Sequence, residues 1–378
     1  MKNKLMRTTA LVGSMVVLGA GASVAQTTVT GSLDLSYRAV STSMLSTGTN
    51  SDSVNSFRGF GKESQINLAN KGKLNNGLDY AAGFSIEFDG NDMQGSATQT
   101  SSFQGVHGEG VYLNIIDGNT TYHAGADWIQ NPDSHALINP VGVGYMTSYG
   151  NAVVAAGTAK QGIYPTVSNS PYQGYGFGVV QKTGFGNFSL SYVPSPQDGV
   201  AGPDIGNNQS IANYEGTAES AIEIGFVGDL GVKGLTVQAF YNERSAPDQN
   251  TSNTNPTGKI TGTTLTAAYN FGQLTIAGDY RVTEGGAKAS STSADEQIKG
   301  KAVSLTYAAT NNLSLGVVYG KAESNAVAKP LDEKIKIAAI GYNLGPVALN
   351  AEYTDTTNVG GLAGSDAKEL IVKASTKF

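Results

Sequence analysis

The chain has 378 residues, no cysteine, 30 acidic against 24 basic side chains and a formal net charge of −6. The acidic surplus excludes a protein that binds nucleic acid through bulk charge, and the missing thiols exclude disulfides and thiolate metal sites. The length allows one large domain or two medium ones, while 49 glycines, 18 tyrosines and a single tryptophan suit a β-rich chain with many turns.

Taken in chain order, the first element is an export leader. Lys2, Lys4 and Arg7 precede an uncharged, largely apolar run from Thr8 to Ala20, and Ser23-Val24-Ala25 supplies small residues at the cleavage positions. The apolar run is too short for a membrane span, so residues 1–25 are expected to be a secretory signal peptide cut before Gln26. Residues 26–378 then form the mature domain, more acidic still once the three leader cations are gone. No later run reaches the about 18 consecutive apolar residues that a transmembrane helix needs.

Beyond the leader the hydrophobic period is two. Val29, Leu33, Leu35 and Tyr37 alternate with polar neighbours, as do Leu78, Tyr80, Ala82, Phe84, Ile86 and Phe88. Leu235, Val237, Ala239 and Tyr241 repeat the pattern, followed by Leu274, Ile276 and Tyr280, by Leu313, Leu315, Val317 and Tyr319, and by Val347, Leu349, Ala351 and Tyr353. This is the pattern of strands with one apolar face. Sixteen segments are expected, over 27–39, 63–71, 77–88, 109–116, 120–128, 172–182, 186–193, 218–228, 233–243, 260–270, 273–283, 299–308, 312–320, 334–343, 346–354 and 367–378. In the fourteenth, Ile335 and Ile337 differ in parity from Ile340 and Tyr342, which a bulge would explain.

The links alternate between short and long. Short ones carry turn residues, such as Asp117-Gly118-Asn119, Asn270-Phe271-Gly272, Asn311-Asn312 and Asn343-Leu344-Gly345. Long ones are polar, such as Ser41 to Lys62, Pro194 to Thr217 and Asp355 to Asp366; the longest runs from Ile129 to Pro171. Aromatics fall into two bands: Tyr192, Tyr241, Tyr280, Tyr319 and Tyr353 where strands enter long loops, and Tyr269, Phe271, Tyr307 and Tyr342 beside short turns. Two aromatic belts, an even strand number and asymmetric links imply an all-β fold: a closed antiparallel transmembrane barrel with short periplasmic turns and long extracellular loops. Sixteen strands leave an aqueous lumen rather than a filled core. The same parities turn Asp34, Arg38, Glu87, Asp127, Glu223, Arg244, Asp279 and Arg281 inward. Asp133 lies in the long segment 129–171, which has apolar groups to bury (Ile138, Val141, Val143, Tyr145) and is expected to fold into the lumen and narrow it. The surplus of inward acids predicts a weak cation preference.

Ser64 to Phe88 (SQINLANKGKLNNGLDYAAGFSIEF) resembles the second hairpin of the Gram-negative general outer-membrane porins, and Val111 to Asp127 (VYLNIIDGNTTYHAGAD) the next one. Leu370 to Phe378 (LIVKASTKF) is similar to that family's terminal strand with its closing aromatic. The chain departs from the family in carrying Ala126-Asp127 where many members have a basic residue, and in lacking a Pro-Glu-Phe-Gly-Gly segment in its third loop. The resemblance implies a trimeric diffusion porin in the outer membrane, in contact with lipid and lipopolysaccharide. It also implies that Phe378 is a signal read by the outer-membrane assembly machinery.

Other chemistry is thinly represented. His107, His123 and His135 have no metal-ligand spacing, and no G-x-S-x-G nucleophile motif occurs. No enzyme activity, metal, cofactor or nucleic-acid partner is expected. Two rival functions remain: a substrate-specific outer-membrane channel, and a sealed barrel or adhesin acting through its loops.

Overall fold

The computed structural model describes residues 14–15, 26–45, 52–89, 107–125, 141, 176–194, 220–245, 259–284, 297–325 and 330–378. Within these ranges it leaves out the side chains of 14–15, 42–45, 52–57, 88–89, 107–109, 244–245 and 259–260. The strands are β1 (Ser14–Met15), β2 (Gln26–Leu45), β3 (Asp52–Lys73), β4 (Asp79–Asp89), β5 (His107–Asp117), β6 (Thr120–Gly125), β7 (Gly176–Lys182), β8 (Gly186–Val193), β9 (Ala221–Gly228), β10 (Leu235–Ser245), β11 (Lys259–Asn270), β12 (Leu274–Glu284), β13 (Gln297–Ala308), β14 (Leu313–Ser324), β15 (Glu333–Leu344), β16 (Val347–Thr357) and β17 (Asp366–Lys377). Each strand from β2 to β17 pairs antiparallel with its chain neighbours, and β17 pairs with β2. The sixteen strands therefore close into a barrel with no free edge, which is what a sheet crossing lipid requires. β1 bridges Thr28 and Val29, a stretch of β2 beyond the last β17 pair at Ser32.

All sixteen expected segments are strands, with boundaries displaced by a few residues. Three local readings are corrected. Ser41 to Lys62 is largely strand rather than loop, because β2 and β3 stay in register out to Leu45 and Asp52. No bulge interrupts β15, whose pairing with β14 and β16 is regular throughout. The register shift lies instead between β4 and β5, at Gly83/Ser85. There β5 carries one extra residue, and Gly110 takes a φ of 60 that a side chain would resist. The stretch 355–366, expected to be loop, is β16 up to Thr357 and then a 3-10 turn over Val359–Gly361.

The two faces are the reverse of a soluble core. Leu265, Val303, Leu305, Val317, Ile340, Leu349, Leu370 and Val372 all point outward and are exposed. Gln238, Thr264, Thr266, Ser304, Glu352 and Thr354, which alternate with outward residues, lie buried against the inner side. One inner region breaks the rule. Ala268, Ala277, Ala302, Val318, Ala322, Ile335 and Ile337 form a buried apolar cluster across β11–β15. Ile335 and Ile337 thus differ in parity from Ile340 and Tyr342 because they face the other side of the wall.

Candidate functional site

The site is the inner wall, and strand parity positions each of its charged groups. β2 turns Asp34, Ser36 and Arg38 inward because Leu33, Leu35 and Tyr37 face outward. β17, the neighbour across the seam, turns Glu369, Ile371 and Lys373 inward between Leu370 and Val372. The seam is therefore lined by two ion pairs: the Lys373 Nζ donates to Asp34 Oδ2 at 2.9 Å, and the Arg38 Nε donates to Glu369.

A second cluster sits on β9–β12. Asp279 Oδ1 accepts the Thr266 hydroxyl at 2.6 Å, and Asp279 Oδ2 accepts Arg281 Nε at 2.8 Å. Both charged side chains are almost fully covered, at 4% and 0% exposure. A pair so enclosed offsets its own desolvation only through close geometry and extra hydrogen bonds, and the Thr266 donor supplies one. Beside it, Asn242 Nδ2 reaches Glu223 Oε2 at 3.4 Å, and Glu223 is buried. Glu87 is buried on β4. Arg244 lies in β10, opposite Ala221 and Ile260, with its side chain outside the description. Asp127 and Asp133 also lie outside the described residues.

Several inward acids were not singled out from the sequence. Glu352 and Glu369 carry the signal plainly, since the parity that puts Tyr353 and Leu370 outward puts their neighbours inward. Glu333 is less legible. It is fully buried at the start of β15, where its Oε2 accepts the Gly360 backbone N–H at 2.9 Å and so ties the 3-10 turn to the wall. His123 faces inward on β6, with Nδ1 2.7 Å from Asn114 Oδ1.

The inner wall also receives one residue from outside the strands. Val141, from the segment between β6 and β7, is 6% exposed. A Cβ added at Gly316 on β14 would stand 2.9 Å from Val141 Cγ2, and one at Gly341 on β15 would stand 3.2 Å from Cγ1. Both glycines face inward, next to Val318 and Ala339. Two missing side chains thus make a notch in the inner wall, and Val141 occupies it.

At the barrel foot, Phe378 closes the seam. Its backbone N–H donates to Gly31 O at 2.9 Å, and the Gly31 N–H donates back to Phe378 O. A Cβ at Gly31 would overlap the Phe378 ring, so glycine is what lets the ring lie there. Phe378 follows the outward parity of Leu370 and Val372 and is 61% exposed.

A closed sixteen-stranded wall, apolar outside, polar inside and belted by aromatics, defines a transmembrane barrel with an aqueous lumen. The family model for Gram-negative porins matches residues 8–361, and the chain belongs to that family: it is an outer-membrane diffusion channel. An anion-selective porin from Comamonas acidovorans has the same fold, with a TM-score of 0.61 at 14% identity, covering 94% of this chain and 100% of that one. OmpF of Salmonella typhi, in complex with daunomycin, superposes with a TM-score of 0.61 at 12% identity, covering 94% and 98%. OmpT of Vibrio cholerae gives 0.58 at 13%, covering 96% and 100%. No curated protein sequence matches the chain.

Proposed function

We propose that the channel is general rather than substrate-specific, weakly cation-preferring, and narrowed by the segment 129–171 folded against β14 and β15 from inside. The observation that carries the narrowing is the apolar patch with Val141 in its glycine notch. A row of alanine, valine and isoleucine facing an aqueous lumen is costly unless apolar groups cover it. Ile138, Val143 and Tyr145, close to Val141 in sequence, are groups able to do so. Against a sugar- or other substrate-specific channel stands the outward orientation of the described tyrosines of both belts.

Cation preference is supported by the sign of the wall. Away from the short turns, the described inward positions carry Asp34, Glu63, Glu87, Glu223, Asp279, Glu333, Glu352 and Glu369 against Arg38, Arg281 and Lys373. A lumen with surplus negative charge raises the local concentration of cations. Reversal potentials across a KCl gradient are expected to take the sign that favours potassium. A chloride-favouring sign, as in an anion-selective porin, would overturn the assignment.

The remaining parts of the reading concern export and assembly. Residues 1–25 are proposed to be removed during export; the barrel closes without β1, because β2 pairs with both β3 and β17. The protein is proposed to act as a homotrimer among outer-membrane lipids and lipopolysaccharide, without catalysis. Trimeric OmpT of Vibrio cholerae, similar at a TM-score of 0.56 with 15% identity, supports the oligomer. Phe378 is proposed to be the assembly signal and Gly31 its seat. Deleting Phe378 is expected to reduce heat-modifiable barrel in the outer membrane sharply, and Gly31→Leu to reduce it in part. Undiminished amounts of both variants would show that the seat is idle.

A further inference from the structure

We propose that the turn between β9 and β10, braced by the β7–β8 turn, is a wedge that inserts its apolar tip into the phospholipid of the periplasmic leaflet. The turn runs from Asp229 to Gly234 and is the longest of the seven short turns between described strands. Its tip carries Leu230 and Val232, which are 52% and 46% exposed. The turns at Asn75-Asn76-Gly77, Asp117-Gly118-Asn119 and Thr310-Asn311-Asn312 present polar residues or glycine at the same end of the barrel.

Hydrogen bonds hold the tip in one shape. The Asp229 and Leu230 N–H groups both donate to Phe185 O at 3.0 Å, so the two turns form a single foot. The Val232 N–H donates to Asp229 O at 2.8 Å, and Asp229 Oδ1 accepts the Gly231 N–H at 2.9 Å. Leu230 takes a φ of 52, in the left-handed region that glycine or asparagine occupies with less strain. Glycine follows directly at 231, with a φ of 77. A turn that served only to connect two strands would place glycine or asparagine at 230 as well. Strain of this kind persists where it positions a group for a task, and here the group is a large apolar side chain facing out of the protein.

Continuity with the lower aromatic belt selects the occupant. The Phe185 ring meets Phe188 edge-on with centroids 5.9 Å apart, and Phe188 lies 4.9 Å from Phe226. Phe188 and Phe226 stand directly opposite each other on β8 and β9, on the outward parity. The foot therefore extends a surface that already meets lipid at headgroup level. An apolar tip continuous with that belt leaves water by entering the boundary between headgroups and acyl chains. Lys182 and Lys233 are exposed at the two turns and make no ion pair among the described residues. Their stems can follow the apolar surface while the ammonium groups reach lipid phosphates.

The chain has no cysteine, so one introduced cysteine takes a nitroxide spin label uniquely. The test labels Val232→Cys in the full-length barrel, refolded into vesicles of phosphatidylethanolamine and phosphatidylglycerol. Asn311→Cys, in an exposed polar turn, is the reference. The label at 232 is expected to collide more with dissolved oxygen, and severalfold less with a water-soluble nickel chelate, than the label at 311. Equal nickel accessibility at the two positions would overturn the proposal. Leu230→Asn supplies a second measurement without a label, since asparagine tolerates the left-handed backbone but removes the apolar contact. It should lower the ratio of folded to unfolded barrel in the vesicles by about fivefold, the equivalent of withdrawing roughly half a leucine side chain from an apolar environment. Relief of strain at an idle tip would raise that ratio, so a rise or an unchanged value would also overturn the proposal.

Discussion

Val317→Arg is expected to destabilise the barrel by roughly 2–4 kcal/mol, the range measured for arginine at the bilayer midplane of outer-membrane barrels. Val317 sits near the middle of β14, points outward and is 52% exposed. Its neighbours across β13 and β15, Leu305 and Ala338, keep that level apolar. Asn67→Arg, on the inward parity of β3 opposite Thr30 and Ser85, should cost far less. Refolding titrations in detergent or lipid report both, and equal costs would mean that the faces have been assigned the wrong way round. The outward residues Val237 and Ile276 are weaker probes, because both stand within three residues of a short turn, where the cost of charge falls off. Gln238, beside Val237, is no neutral comparator either: at 1% exposure it is packed into the wall, so an arginine there would also meet steric cost.

Shortening the chain between Gly142 and Gly157 is expected to raise single-channel conductance severalfold, because it removes the part of the segment beyond the Val141 contact. Gly316→Leu should act in the same direction without shortening anything. A Cβ there already stands 2.9 Å from Val141, so a leucine must expel it from the notch. The shortened chain could change the mouth as well as the lumen, whereas Gly316→Leu alters only the seat. Unchanged conductance in both variants, properly inserted, would place the segment elsewhere than across the pore.

Most of the wall was legible because period-two alternation reports directly on which face a strand residue takes, and lipid outside with water inside makes that alternation strong. Tyr353 outward implies Glu352 inward; Leu370 outward implies Glu369 inward. What the pattern could not show was that part of the inner wall is apolar. Ile335 and Ile337 therefore read as a disturbance of register, although the β14 and β15 ladders are regular. The same wall holds the notch at Gly316 and Gly341 that Val141 fills from about two hundred positions away in sequence, and strand periodicity carries no information about such contacts. The pairing of inward charges was hidden for a similar reason. Arg38 meets Glu369 and Lys373 meets Asp34 only because the barrel closes its last strand on its first. Gly31 is legible only in hindsight, since nothing in sequence links it to Phe378 until closure brings the two backbones together.

The central claim is an open aqueous path through a closed barrel, and planar-bilayer recording of the purified wild-type protein tests it most directly. The account predicts discrete, repeated conductance steps that scale with bulk electrolyte conductivity, with a potassium-favouring reversal potential. Heat-modifiable barrels that insert and yet pass no current would contradict it, and would point to a sealed barrel acting through its loops.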